Sequence, residues 1–255
     1  MAESKHPDLT SFKALSFDVY GTLIDQNAGL LKSLSAITSQ LPADHALNEE
    51  PPVQALARFR EQVLALEARE PTLLFNENQA MSAVALAHEL GVSLSDSVAE
   101  PFGNAPGTWA PFPDTVDALR RLGARFRLAV LSNVDNANWR STQERQLAGV
   151  RFDAVCTAQD IGSYKPDRKN FEYLFGHCRK ELGVDPDKGE LLHVAKSLEL
   201  DHVPAKELGL RSVWISRGGD QELEKFQGRV AYEWKFATLG EFADEVDRQF
   251  KAKGQ

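Results

Sequence analysis

Residues 16–25 read SFDVYGTLID. The run is apolar into Asp18 and turns at Gly21, which predicts Asp18 at the carboxyl end of a buried strand, the edge where open α/β sheets hold their ligands. Two positions on, where a second carboxylate could serve as a proton donor, stands Tyr20. The fold and the chemistry therefore turn on what a lone aspartate does at such an edge.

Working outward, four more short runs rich in Val, Leu and Ile alternate with helical patterns: RLAVLSN (127–133), FDAVCTA (152–158), LLHVA (191–195) and SVWIS (212–216), after ALSFDVY (14–20). This alternation is the signature of a parallel sheet wrapped by helices, an α/β, Rossmann-like core. The stretch between the first and second strands is far longer than a crossover needs. It carries apolar residues at helical spacing: Leu30, Leu31, Leu34, Ile37 and Leu41; then Leu56, Phe59, Val63 and Leu66; then Met81, Val84, Ala85 and His88. An inserted α-helical cap over 28–112 is the economical reading, with 12–27 and 113–255 forming the core. Within the insertion, ADHALNEEPP (43–52) reads as a connection and GNAPGTWAPFPD (103–114) as the return hinge. DTVDALRRLG predicts a helix stopped by Gly123, and 239–253 a final helix with Phe242, Val246 and Phe250 on one face.

With Lys+Arg 29 against Asp+Glu 37, the 255-residue chain carries a formal charge of −8, which argues against nucleic acid or an acidic membrane surface as partner. The amino terminus has no apolar run of signal-peptide length and no later run approaches a membrane span, so a cytoplasmic protein is expected. Cys156 and Cys178 fit no metal or redox spacing and read as buried thiols.

Polar residues follow four of the predicted strands or their loops: Asp18 with Thr22, Ser132 with Asn133, Lys165 in SYKPD, and Lys196–Ser197 with Asp201 in HVAKSLELD. Singly, each has a bland explanation as a turn former or a solvated charge. An acid, a hydroxyl, a lysine and a second acid on one sheet edge together make a covalent-catalysis site. His193 reads as core and His202 as helix surface. Trp109 reads as a packed hinge aromatic.

DVYGTLID, LAVLSNVDN, YKPD and HVAKSLELD resemble, in order and spacing, the four motifs of the haloacid dehalogenase superfamily, and the cap is similar to that of its first class. That superfamily contains phosphatases and a branch of 2-haloacid dehalogenases. The phosphatase pattern has a second Asp that protonates a leaving alkoxide, where this chain has Tyr20; a halide leaves as a stable anion and needs no proton. Phosphatases also hold magnesium with a fourth-motif carboxylate, where this chain has Lys196. An ammonium repels the ion, so neither a metal nor another cofactor is expected. SVWISR (212–217) likewise resembles the dehalogenase branch.

The resemblance implies that Asp18 attacks the halogen-bearing carbon, Lys165 orients it, and Asp201 positions or deprotonates the water that releases a 2-hydroxy acid. Tyr20, Thr22, Ser132, Asn133, Ser197 and Lys196 would bind a small organic acid, and a cap arginine would capture halide, Arg60 ahead of Arg58. Lys196 either crowds Asp18 or pairs with Asp201 or Glu199. Phe171 and Leu200 stand where that branch has a tyrosine and a tryptophan. A homodimer is compatible with the resemblance. A phosphatase, or a binding protein with little turnover, are the competing expectations.

Overall fold

The computed structural model describes residues 8–48 and 52–254. Six parallel strands, β1 (Ala14–Phe17), β2 (Arg127–Ser132), β3 (Ala154–Thr157), β4 (Leu191–Ala195), β5 (Ser212–Ile215) and β6 (Trp234–Phe236), form one sheet in the order β3-β2-β1-β4-β5-β6. Every residue of β1, β4 and β5 is buried, as strands covered on both faces must be, and this is why they read as unbroken apolar runs. The chain goes from β1 to β2 and β3 on one side and resumes with β4 on the other. The carboxyl ends of β1, β2 and β4 therefore surround the crevice at the switch point.

Four of the helices between β1 and β2 belong to the insertion: α1 (Gln26–Thr38), α2 (Val53–Arg69), α3 (Phe75–Glu89) and α4 (Asp96–Asn104). The rest, α5 (Thr115–Gly123), α6 (Asn136–Ser141), α7 (Ala158–Ile161), α8 (Arg168–His177), α9 (Val203–Glu207) and α10 (Leu239–Ala252), belong to the sheet's flanks and edges. One apolar core runs from Phe242 and Val246 on α10 through β1 into Leu34, Phe59 and Leu86 of the inserted helices. Each such side chain contributes about 1.5–3 kcal/mol by leaving water. Asp25 starts α1 by accepting a hydrogen bond from Ala28 N, and Phe59 meets Phe102 at 5.3 Å between α2 and α4.

The structure adds to or revises the sequence reading at three places. β6 was invisible because it is three residues long and mixes the buried Trp234 with the exposed Lys235. In α3 the buried face is Phe75, Gln79, Ser82, Ala83 and Leu86, while Met81 and Val84 are 44% and 40% exposed. A polar stripe can turn inward because its groups satisfy one another: Ser82 Oγ donates to Asn78 Oδ1 at 3.0 Å, and Asn78 Nδ2 donates to Val63 O at 3.3 Å. The connection at 43–52 contains a short turn, Ala46–Asn48; residues 49–51 lie outside the described residues.

Trp109 in the return hinge is buried and packs edge-on against Tyr20, at 5.9 Å between centroids. Its other neighbour is Gly29 of α1, where a Cβ atom would fall 2.3 Å from Trp109 Cγ. Gly29→Ala should therefore lower stability by about 1–3 kcal/mol through overpacking, read as a lower urea midpoint. An unchanged midpoint would show that the indole can move aside freely.

Candidate active site

Gly21 makes the turn after β1 possible: its φ of +93° is closed to ordinary L residues, and its N–H donates to Ile24 O at 2.8 Å. Asp18 sits just before this turn with its own N–H donated to Val194 O. Its Oδ2 accepts from Thr22 Oγ1 at 2.6 Å and its Oδ1 from Lys165 Nζ at 2.8 Å. Thr22 Oγ1 in turn accepts from Lys196 N at 2.9 Å, which joins the turn after β1 to the loop after β4.

Lys165 is aimed from the opposite side. The Asn133 side chain grips its backbone at both ends, with Oδ1 accepting from Lys165 N at 2.7 Å and Nδ2 donating to Lys165 O at 3.0 Å. The buried ammonium then donates to Asp18 Oδ1, to Asp201 Oδ1 at 2.7 Å and to Leu131 O at 3.1 Å, which uses all three of its protons. Asp201 Oδ1 also meets His193 Nε2 at 3.0 Å, and His193 Nδ1 meets Ser16 Oγ at 2.9 Å.

Burial raises the Asp18 carboxyl above the ordinary carboxylate range, Lys165 pulls it back and the Asp201 charge adds to the rise. Burial also pushes Asp201 up, but Lys165 and then His193 outweigh it and hold that carboxyl at about 2. For Lys165, burial favours the neutral form, yet the two carboxylates prevail and raise it, so it stays charged.

Above this cluster lies a cavity of about 240 Å³ lined by Asp18, Tyr20, Ser132, Asn133, Lys165 and Leu200 from the core, and by Phe59, Arg60, Val63, Glu67, Phe75 and Gln79 from the inserted helices. The Ser132 hydroxyl has no protein partner among the described residues. Tyr20 contributes its ring, stacked on Phe75 at 6.0 Å, while its hydroxyl is hydrogen bonded to Thr142 Oγ1 at 2.8 Å. Arg60 reaches the cleft and donates to Asn27 Oδ1 at 2.5 Å. Arg58 faces elsewhere, paired with Glu89 at 2.9 Å.

Several expected roles move. Thr22 is buried and holds Asp18 instead of facing a ligand. Ser197 spends its hydroxyl accepting from Leu200 N at 3.0 Å, as the cap of the next turn. Lys196 pairs with neither Asp201 nor Glu199 but with Glu222, at 3.1 Å, outside the cleft. Asp201 is completely buried behind Lys165, where its Oδ1 meets the ammonium and His193 Nε2 and so holds the lysine in position. His202 is also buried: Nε2 meets Ala195 O and Nδ1 meets Ser212 Oγ, and burial pushes it down to about 4.

Other contributors carried weaker signals. Arg217, just past β5, donates from Nε and Nη2 to Thr22 O and from Nη1 to Asp114 Oδ1 at 2.7 Å, so it braces the turn after β1 against the hinge. Glu67 lies seven residues after Arg60 on the same face of α2, a spacing that could have flagged it. A divalent cation does not fit the donor set. Asp18 and Asp201 already turn oxygens to Lys165, residue 196 is an ammonium, and no group of three acidic, His or Cys side chains among the described residues could hold a metal.

Residues 12–194 match the family model for haloacid dehalogenase-like hydrolases. The chain is 24% identical over 211 residues to (S)-2-haloacid dehalogenase H-109 of Pseudomonas putida, covering 81% of this chain and 87% of that protein. It is also 24% identical to the pyrimidine 5'-nucleotidase YjjG of Escherichia coli (strain K12) over 131 residues, 51% of this chain and 54% of that one. The crystal structure of the L-2-haloacid dehalogenase PA0810 superposes with a TM-score of 0.71 at 27% identity, covering 92% of this chain and 99% of that chain.

The lowered Asp201 sets an acid limit on stability. Its folded-state value lies below the ordinary carboxylate value of 3.8, so its contribution is present above that value and lost as pH falls toward about 2. Asp18, being raised, has the opposite slope and acts above that window. Wild type should thus lose more unfolding free energy between about pH 4 and pH 2 than Asp201→Asn, which should already be weaker at neutral pH by about 3–5 kcal/mol. Parallel urea curves for the two proteins across that range would contradict the assignment.

Proposed function

Because the chain belongs to the haloacid dehalogenase-like hydrolases, we propose that it hydrolyses a 2-haloalkanoic acid to a 2-hydroxy acid through an ester on Asp18, without a metal, with residues 28–112 acting as the cap. The observation that supports this most is the Lys165 ammonium shared between Asp18 Oδ1 and Asp201 Oδ1 at 2.8 and 2.7 Å. A tethered cation stands where charge neutralisation is needed, and Tyr20 and Lys196 withhold the proton donor and metal ligand that phosphate-ester cleavage would require.

An oxygen of Asp18 attacks the substrate's C2 from the side opposite the halogen; the new C–O bond forms as the C–X bond breaks, and the halide departs with the bonding pair. Arg60, on the cap side, receives that anion. Whichever Asp18 oxygen remains as the carbonyl keeps a donor, Lys165 at Oδ1 or Thr22 at Oδ2, and this stabilises the oxyanion when water attacks the ester carbon. Collapse expels the 2-hydroxy acid with inverted configuration, regenerates the carboxylate and releases a proton. The Ser132 hydroxyl is placed to bind the substrate carboxylate.

Halide release from racemic 2-chloropropionate should persist in EDTA and vanish in Asp18→Asn. Arg60→Gln should lose about a hundredfold or more in turnover while Arg58→Gln stays near wild type, in line with the cost of removing a stabilising donor. One turnover in heavy-oxygen water should label Asp18 itself. A requirement for magnesium, or label that reaches only the product in a first turnover, would defeat the mechanism.

A further inference from the structure

The cap wall of the cleft is not uniformly cationic. Arg60 and Glu67 stand seven residues apart on one face of α2, about 10 Å along its axis, with Val63 between them. Glu67 is half-buried and has no hydrogen-bond or ion-pair partner among the described residues; the Tyr164 hydroxyl, close enough to feel its charge, is committed to Leu73 O at 2.5 Å. On the neighbouring α3, Gln79 also lines the cleft; it is only 3% exposed, and its Oε1 has no partner. Glu67 is thus an acceptor on the cap wall that no protein donor among the described residues meets, whereas Gln79 Oε1 is shut away from the cleft.

A half-buried carboxylate with no opposite charge beside it is poorly stabilised, and a ligand cation that enters the cleft supplies the missing charge. We propose that the cleft takes a 2-substituted acid whose far end carries an ammonium group, and that Glu67 selects it. The inference rests on the proposed reaction for the position of the reacting end, near Asp18 and Arg60. The chain of the substrate then runs along Val63 toward Glu67. The same placement works against a second carboxylate at the far end, which would meet Glu67 as a like charge. Burial pushes the Glu67 carboxyl up to about 7, so the empty site holds its charge weakly and an arriving cation favours the ionised form.

The test uses product-like acids, so that it reads binding and not turnover. Calorimetric titration of the full chain with 6-amino-2-hydroxyhexanoate and with 2-hydroxyhexanoate gives a ratio of dissociation constants. The amino compound should bind wild type about tenfold or more tightly, the strength of one charge-assisted hydrogen bond. That ratio should collapse toward unity in Glu67→Gln, while the exposed control Glu61→Gln keeps the wild-type ratio. Equal binding of the two acids, no binding of the amino compound, or a preference that survives Glu67→Gln would each overturn the proposal. Halide release from 2-chloropropionate is measured separately, so failure here and failure of the dehalogenation reading are distinguishable.

Discussion

An ammonium buried in protein is tolerated only when each of its protons meets an acceptor and its charge meets an opposite one. Lys165 meets both conditions through Asp18, Asp201 and Leu131 O. Those acceptors come from the ends of β1, β2 and the turn after β4, so one cation ties together the three chain segments that frame the crevice. Removing it would leave two carboxylates facing each other in a dry site. The surrounding structure is arranged to keep it in place: Asn133 clamps its backbone, and His193 shares Asp201 Oδ1 from inside the sheet, anchored on Ser16.

The next ring of contacts holds the backbone that carries these groups. Thr22 joins the loop after β4 to the turn after β1, Trp214 Nε1 donates to Lys196 O at 3.0 Å, and Arg217 grips Thr22 O while lying 4.0 Å over the Phe112 ring. Arg217 adopts a positive φ of 48°, which costs a non-glycine residue free energy; its several bonds to the turn and hinge hold that conformation. The hinge of the inserted helices is thereby mechanically continuous with the turn that follows Asp18.

How much of this was legible follows from distance along the chain. Asp18 and Ser132 were readable because parallel strands deliver whatever follows them to one edge, and a short run with its polar terminus is a local signal; Lys165, beyond both β3 and α7, was readable through the resemblance that YKPD carries. The partner of Lys196 was not readable: Glu222 comes from a segment beyond β5, and nothing near HVAKSLELD points to it. His202 was read as surface because its satisfaction depends on Ser212 Oγ and Ala195 O, groups that only the β4–β5 pairing brings within reach. In α3 the more apolar stripe lies outside, since Asn78 and Ser82 satisfy each other and the α2 backbone; a hydropathy pattern cannot see that pairing.

The charges around the cleft bear on what it admits. Lys165 balances only one of the two carboxylates it touches, Lys196 is neutralised by Glu222, and Arg60 and Glu67 stand at opposite ends of the cap wall. With every group ionised the site is therefore anionic by about one charge, and a simple carboxylate enters against that balance. An acid that also carries a cation enters as a neutral species and meets Glu67 with the charge it lacks. The cationic end then anchors the ligand away from Asp18, so binding need not place positive charge beside the nucleophile, where it would weaken the attack. In the proposed reaction the two jobs are separated along α2, selection at Glu67 and halide capture at Arg60, which leaves Lys165 to serve Asp18.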